Sequence, residues 1–84
     1  MDIDALKQAR QIVTGTKQTT KAITTEKAQH VFVAHDAAEH IVNPVLEVCK
    51  ERNIPVTLVD SMEELGQACG IKVKAAMAAI LQEN

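Results

Sequence analysis

Basic and amide side chains are concentrated in one short stretch, Gly15–Ala22, with the sequence GTKQTTKA. At the start of a helix, Lys17 and Lys21 would lie one turn apart on one face, where cations oppose the helix dipole and the unpaired backbone N–H groups. A phosphate would be stabilised by both kinds of group. Gln18 adds an amide whose donor and acceptor atoms suit the edge of a nucleobase. These residues suit an anion-binding helix start, although an ordinary solvated helix face with a glycine cap is the commoner explanation of such a pattern.

Charge is unevenly distributed along the chain, although the formal net charge is −2. Residues 1–29 carry a net charge of +2, residues 30–65 carry −5, and residues 66–84 carry +1. Two basic terminal regions that meet in space would form one positive face on an acidic protein. The charge pattern is therefore compatible with a nucleic-acid partner.

The composition limits the classes of protein to consider. The chain has 84 residues, which predicts one domain over residues 1–84, and its single aromatic residue, Phe32, disfavours a protein that stacks bases on Tyr or Trp. No apolar run approaches the roughly 18 residues of a membrane span. The N-terminus begins with acidic residues, unlike a signal peptide. We therefore expect a cytoplasmic protein that does not enter a membrane.

Candidate residues for catalysis or metal binding form no recognised constellation. The spacing of Cys49 and Cys69 fits neither the paired CxxC motifs of a metal site nor a disulfide scaffold, and both are predicted to be buried thiols. The segment HDAAEH, His35–His40, matches no zinc-enzyme spacing, and Asp36 with Glu39 is better explained as a helix-capping pair. With no phosphate loop or nucleophile elbow, we predict no catalytic residue, no metal site, no cofactor and no enzymatic activity.

A first helix is predicted before the basic stretch, with Asp2 or Asp4 as its N-cap. Its end is placed near Thr14, because Gly15 is typical of the position that follows a helix C-terminus. Its apolar residues recur at helical spacing, and they are Ile3, Leu6, Ala9 and Val13.

Thr16 is the predicted N-cap of a second helix that runs from Lys17 to about Thr25. The β-branched and aromatic run HVFVAH, His30–His35, predicts a buried strand. The run IPVTLVD, residues 54–60, predicts a second one. Strands that alternate with helices indicate an α/β protein.

Two further helices are predicted from their capping residues. Asn43 and Pro44 suit the N-cap and the first position of one helix. Ser61 and Glu64 have the spacing of a capping box at the start of the other, and Gly70 suits its end. The last segment, VKAAMAAILQEN, is ambiguous from its residues alone. Its propensity favours a helix, whereas a strand covered on both faces would need its small residues.

Four motifs, in this order and spacing, carry a resemblance to a known family. They are GTKQTTKAI, VFVAHDA, VCKERNIPVTLV and LGQACGIKV. The chain resembles the kink-turn RNA-binding ribosomal protein superfamily of the L7Ae and L30e type, and especially its small bacterial YbxF-like branch, from about Ile3 to Leu81. The resemblance implies an α/β fold, a three-layer α-β-α sandwich around a four-stranded mixed β-sheet, in which AAMAAIL is a strand. It also implies a monomer whose partner is RNA containing kink-turns, with the ribosome as a further partner.

The resemblance also implies how a kink-turn would be bound, with its tandem sheared G·A pairs and sharply bent backbone. Gly15 and Thr16 would approach the backbone. Lys17 and Gln18 would face the G·A pairs, and Lys21 would hold a phosphate or a guanine edge.

The family's loop before the last strand covers a flipped-out nucleotide. Here that loop follows Gly70, and Ile71, Lys72 and Val73 would form its apolar and basic cover. This placement would bring both basic regions of the chain onto one surface.

The chain departs from the family at two places. Archaeal members usually have Asn-Glu where this chain has Lys17 and Gln18, and a neutral amide copies only part of the hydrogen bonding of Glu to guanine. Many relatives have Lys where this chain has Met62, which removes one phosphate contact. The alternative hypothesis is therefore a protein-interaction or ribosome-assembly module on the same fold with a weakened RNA surface.

Overall fold

The computed structural model describes residues 3–82, along which short helices and strands alternate. Within this range, no helix combines the length and the apolarity needed to cross a bilayer. In chain order the elements are α1 (Ile3–Gln8), β1 (Ile12–Thr14), α2 (Thr16–Thr24), β2 (Ala28–Ala34), α3 (Glu39–Glu51), β3 (Val56–Val59), α4 (Met62–Ala68) and β4 (Met77–Leu81).

The four strands form one mixed sheet in the spatial order β1-β4-β2-β3. Strand β4 pairs antiparallel with β1 and with β2, whereas β2 and β3 are parallel. Ala78 of β4 lies opposite Thr14 on one side and Phe32 on the other. Helix α3 supplies the long connection that two parallel neighbours need. The predicted four-stranded mixed sheet is therefore confirmed.

Apolar side chains cover both faces of the sheet in two core clusters. One cluster joins the sheet to α2 and α3 and includes Ile23 and Val45. The other joins the sheet to α1 and α4 and includes Leu6 and Leu65. Successive side chains of a strand point to opposite faces, so β2 contributes Val31 to the first cluster and Phe32 to the second. The three-layer α-β-α sandwich is confirmed.

The C-terminal segment is a strand, against its helix propensity. Ala78 and Ala79 of β4 are fully buried, each in a different core cluster. Helices cover both faces of this strand, and a strand buried on both faces carries apolar residues throughout its length. Tertiary packing therefore overrides the local preference for a helix, and the strand that the family resemblance implies is confirmed.

The first predicted helix is wrong in its second half. Helix α1 ends at Gln8, and residues 12–14 form the edge strand β1, paired with Ile80, Ala79 and Ala78. Ile12 and Val13 are β-branched, and a strand partner is available to them only in the folded protein. Of the two predicted N-caps, Asp4 lies inside α1 and Asp2 lies outside the described residues.

Three other local predictions need correction. Helix α3 begins at Glu39 with Ala38 as N-cap, so Asn43 and Pro44 lie inside the helix and not at its start; the additional first turn buries Val42 in the core. Asp36 does not cap this helix, and its Oδ1 accepts a hydrogen bond from the backbone N–H of Met62 at 2.8 Å. Strand β3 lies at the sheet edge, so its Leu58 is 61% exposed.

Helices α2, α3 and α4 end in the same backbone motif. In each, the second residue after the last helical one has a positive φ, and the next N–H bonds back to a carbonyl five residues earlier, as in a Schellman motif. The residues with positive φ are Glu26 (φ 61°), Asn53 (φ 58°) and Gly70 (φ 77°). The predicted stop at Gly70 and the Ser61–Glu64 capping contact, 3.1 Å from the Glu64 N–H to the Ser61 hydroxyl, are confirmed.

Glu26→Gly is expected to raise the free energy of unfolding. A non-glycine residue in the left-handed region destabilises the folded state by about 1–2 kcal/mol, and glycine removes this cost. Glycine also makes the unfolded chain more flexible, which offsets part of the stabilisation. Glu26→Ala is the matched control, since it removes the same charge and keeps the Cβ. We expect the Gly variant to exceed the Ala variant by about 0.5–1 kcal/mol in urea unfolding. An Ala variant of equal or greater stability would contradict the left-handed assignment.

Candidate functional site

The two basic segments that were predicted from the sequence meet at one edge of the sheet, the edge at which β1 and β2 end and β4 begins. Thr14 at the end of β1 pairs with Ala78 near the start of β4, and the Gly15 N–H donates to the Met77 carbonyl oxygen at 2.9 Å. The first turn of α2 therefore lies beside the segment that enters β4. We call residues Gly15–Gln18 the α2 entrance and residues Ile71–Ala76 the α4–β4 loop.

The α2 entrance exposes backbone donors and cationic side chains together. Gly15 is the N-cap of α2, so the predicted roles of Gly15 as a helix stop and of Thr16 as the cap are wrong. Within the described residues, no side chain caps these N–H groups, and the first turn holds no acidic residue. Thr16, Lys17 and Gln18 are all exposed. The positive end of the helix dipole is therefore uncapped and accessible to an anion.

Helix α2 presents one face to the core and the opposite face to solvent. Thr19, Ala22 and Ile23 are buried, which leaves Lys17 and Lys21 exposed one turn apart. Inside the helix, the Thr19 N–H donates to the Gly15 carbonyl oxygen at 3.0 Å, so the first turn is fixed to its N-cap. The helix thus holds Lys17 in its uncapped first turn and Lys21 in its last turn, both exposed.

The α4–β4 loop combines a buried anchor with an exposed tip. Ile71 is half-buried and packs against the second core cluster, whereas Val73 is 70% exposed. Lys72 and Lys74 are exposed on either side of Val73. A groove of about 560 Å³ lies beside the tip and is lined by Glu63, Gln67, Ile71, Lys72, Val73 and Lys74.

Sequence reasoning missed Lys74. Its charge was counted with the basic C-terminal region, but the predicted cover ended at Val73. The available signal was an alternating pattern in which an apolar residue, Val73, has a lysine before it and a lysine after it in the sequence. Within residues 3–82, no ion pair neutralises Lys17, Lys21 or the two loop lysines.

In the part of the chain that the structure describes, the titratable groups with shifted pKa values are His30, Cys49 and Cys69, and none of them belongs to the α2 entrance or the α4–β4 loop. Burial lowers the pKa of His30, whose Nε2 is 2.7 Å from the Thr57 hydroxyl oxygen at the start of β2 and β3. Burial also raises the pKa of the Cys49 and Cys69 thiols, which keeps them protonated and poorly nucleophilic. Among residues 3–82, no three His, Cys, Asp or Glu side chains are arranged to hold a metal ion.

The fold and the site define a class of protein: a small α-β-α sandwich with an uncapped basic helix start beside an exposed basic loop. The profile of the Ribosomal protein L7Ae/L30e/S12e/Gadd45 family matches residues 2–84, and the chain belongs to this family. An RNA-binding protein of Geobacillus sp. strain WCH70 is 49% identical over 82 residues, which are 98% of this chain and 100% of that protein. The RNA-binding protein YbxF of Geobacillus stearothermophilus is 48% identical with the same coverage. The predicted likeness to the YbxF-like branch is confirmed.

Solved structures have the same architecture. The 15.5kD RNA binding protein of Giardia lamblia matches with a TM-score of 0.86 and 27% identity, covering 98% of this chain and 72% of that one. A Bacillus halodurans protein of unknown function matches with a TM-score of 0.81 and 28% identity, covering 95% and 80%. The sandwich is therefore shared with a eukaryotic protein that has limited sequence identity.

Gly15→Ala is expected to destabilise the protein through its backbone alone. Gly15 has φ 87° and ψ 163°, a region that is essentially restricted to glycine, and a Cβ there would meet no atom within 4 Å. We expect a loss of about 1–2 kcal/mol in the free energy of unfolding, measured by urea titration. Thr16→Ala, at the next position with helical backbone angles, serves as control and should change stability by less than about 0.5 kcal/mol. Equal effects of the two substitutions would contradict this assignment.

Proposed function

We propose that this protein binds RNA that contains kink-turns, through the α2 entrance and the α4–β4 loop. The observation that carries the proposal is the hydrogen bond from Gly15 to Met77, which places the two basic segments at one sheet edge. The family membership supports it, as do the relatives named as RNA-binding proteins. The function is that of a non-enzymatic, cytoplasmic RNA-binding protein, associated with the ribosome, that acts as a monomer with one domain over residues 1–84.

The α2 entrance would contact the bent RNA backbone and the sheared G·A pairs. Gly15 has no side chain, and the open space above it lets a bulky backbone approach, with Thr16 beside it. The oxygens of a phosphate there would accept hydrogen bonds from the free backbone N–H groups of the first turn. Lys17 and Gln18 would face the G·A pairs, and Lys21 would hold a phosphate or a guanine edge.

The α4–β4 loop would cover the nucleotide that flips out of the kink. The exposed side chain of Val73 would pack on the base, and Ile71 would anchor the loop to the core. Lys72 would attract the neighbouring phosphates, and we add Lys74 to the proposed site because it is exposed beside them. RNA is commonly recognised through shape and unstacked bases, which this combination suits.

The proposed selectivity depends on RNA shape. We expect a kink-turn RNA to bind far more tightly than a duplex of similar length in which the sheared G·A pairs are replaced by Watson–Crick pairs. The measurement is a titration of both RNAs at the same salt concentration. Equal affinity for the two RNAs would contradict kink-turn recognition, and no binding to either would favour a protein-interaction module on this fold.

Lys21→Ala and Gln18→Ala should weaken kink-turn binding in different ways. Loss of the Lys21 charge should reduce the slope of log K against log salt by up to about one unit, because fewer counterions are released. Loss of the neutral Gln18 amide should leave the slope unchanged, cost about 1–3 kcal/mol, and narrow the difference between kink-turn and duplex. Titrations of both RNAs at several salt concentrations measure all three effects.

Matched controls come from the opposite edge of the sheet. Lys50 is in the last turn of α3 and Gln29 is at the start of β2, and both are exposed. Lys50→Ala and Gln29→Ala remove the same groups and should leave affinity and salt slope close to those of the wild type. If Gln18→Ala weakened both RNAs equally, a base contact at this position would be wrong.

A further inference from the structure

The α4–β4 loop lies directly on the backbone of α4. The Ile71 N–H donates to the Gly66 carbonyl oxygen and the Ala75 N–H donates to the Met62 carbonyl oxygen, each at 3.1 Å. These two acceptors are one helical turn apart, so the loop runs back along the helix between them. Gly66 and Val73 face each other in the middle of this contact.

Gly66 has no room for a side chain. A Cβ at this position would overlap the carbonyl oxygen of Val73, and it would lie 3.2 Å from the Val73 carbonyl carbon and 3.4 Å from the Lys74 Cα. These are backbone atoms, so no side-chain rotation can relieve the overlap. Glycine inside a helix costs roughly 0.5–1 kcal/mol relative to alanine, so helix propensity gives no reason for it here.

Both sides of the loop tip are fixed by other hydrogen bonds. The carbonyl oxygen of Ala76 accepts from the Ala34 N–H at 2.9 Å, and the carbonyl oxygen of Met77 accepts from the Gly15 N–H at 2.9 Å. The Schellman motif holds the loop start at Ile71. A side chain at residue 66 would therefore displace residues 72–74 while the α2 entrance keeps its position.

We propose that Gly66 is a positioning residue for RNA recognition. Its missing side chain sets the height of Lys72, Val73 and Lys74 above α4, and therefore their distance from RNA held at the α2 entrance. The inference rests on the proposed function and adds a residue that contacts no RNA itself. Nonbonded heavy atoms pack about 3.5 Å apart, so a Cβ moves the tip by on the order of 1 Å, enough to disturb a preorganised site.

The experiment compares the wild type with Gly66→Ala on a kink-turn RNA and on its Watson–Crick duplex counterpart. We expect kink-turn affinity to fall about tenfold or more, with duplex affinity changed less than about twofold, since every lysine remains. The salt slope should stay unchanged. Amide chemical shifts of residues 71–75 should move in the free variant, while those of residues 15–21 stay in place.

A second variant and a control separate loop position from loss of stability. One glycine inserted between Val73 and Lys74 shifts the tip while Gly66 is kept, and it should also lower kink-turn affinity selectively. This variant decides the question if Gly66→Ala does not fold. Val45→Ala weakens the core cluster on the other face of the sheet and should cost stability, yet it should leave the ratio of the two affinities unchanged.

The outcomes distinguish this inference from the function on which it rests. A wild type that binds both RNAs equally overturns kink-turn binding itself, and the inference with it. A selective wild type together with a folded Gly66→Ala variant of unchanged selectivity, or with unmoved loop amides, overturns only the role of Gly66. If Gly66→Ala is unfolded, unchanged selectivity of the insertion variant overturns that role as well.

Discussion

The antiparallel pairing of β4 with both of its neighbours is the constraint on which the rest of the structure depends. Pairing with β1 places the end of β1, and hence Gly15, beside the start of β4. Pairing with β2 places the end of β2 at the same edge, where the Ala34 N–H meets the Ala76 carbonyl oxygen. Two segments some sixty positions apart in the chain therefore meet at one end of the sheet. The alanines of β4 are buried under helices on both faces, so the strand that links β1 to β2 lies inside the sandwich.

The site gives up stability that the fold could have kept. A side-chain cap at the start of α2 would contribute about 1 kcal/mol, and acidic residues in the first turn would add to it, yet the entrance has neither. Helix α4 shows the contrast, since Ser61 caps its Glu64 N–H and Asp36 accepts from Met62. Helix α3 also begins at this end of the sheet without a side-chain cap, but its first turn carries Glu39; among the three helices, all within residues 3–82, α2 alone has neither a side-chain cap nor an acidic residue in its first turn. A ligand site on α2 would require backbone N–H groups without intramolecular partners, and the missing side-chain cap of α2, in contrast to the capped α4, meets this requirement.

Sequence reasoning succeeded where the signal was local and failed where it depended on a distant partner. The capping contact of Ser61, the stop at Gly70 and the basic entrance are set by residues a few positions apart. Strand β1 could not be found in this way, because its three residues continue a helical pattern and become a strand only beside β4. Gly15 was misassigned for the same reason: glycine suits either side of a helix boundary, and the direction was decided by that missed strand. The contact of Gly66 with Val73 leaves only a glycine inside a predicted helix as its local signal, and the sequence does not identify the partner of that glycine.

Net charge explains why geometry must supply the selectivity of the proposed RNA interface. The protein carries a formal charge of −2, so its attraction for nucleic acid in general is confined to a few local cations. Two of these are on α2 and two are on the α4–β4 loop. Under the proposed function, a sharply bent backbone would bring phosphates to both pairs. The distance between the pairs then matters more than their number, and the backbone fixes that distance through the bond of Gly15 to Met77 and the close approach of Val73 to Gly66.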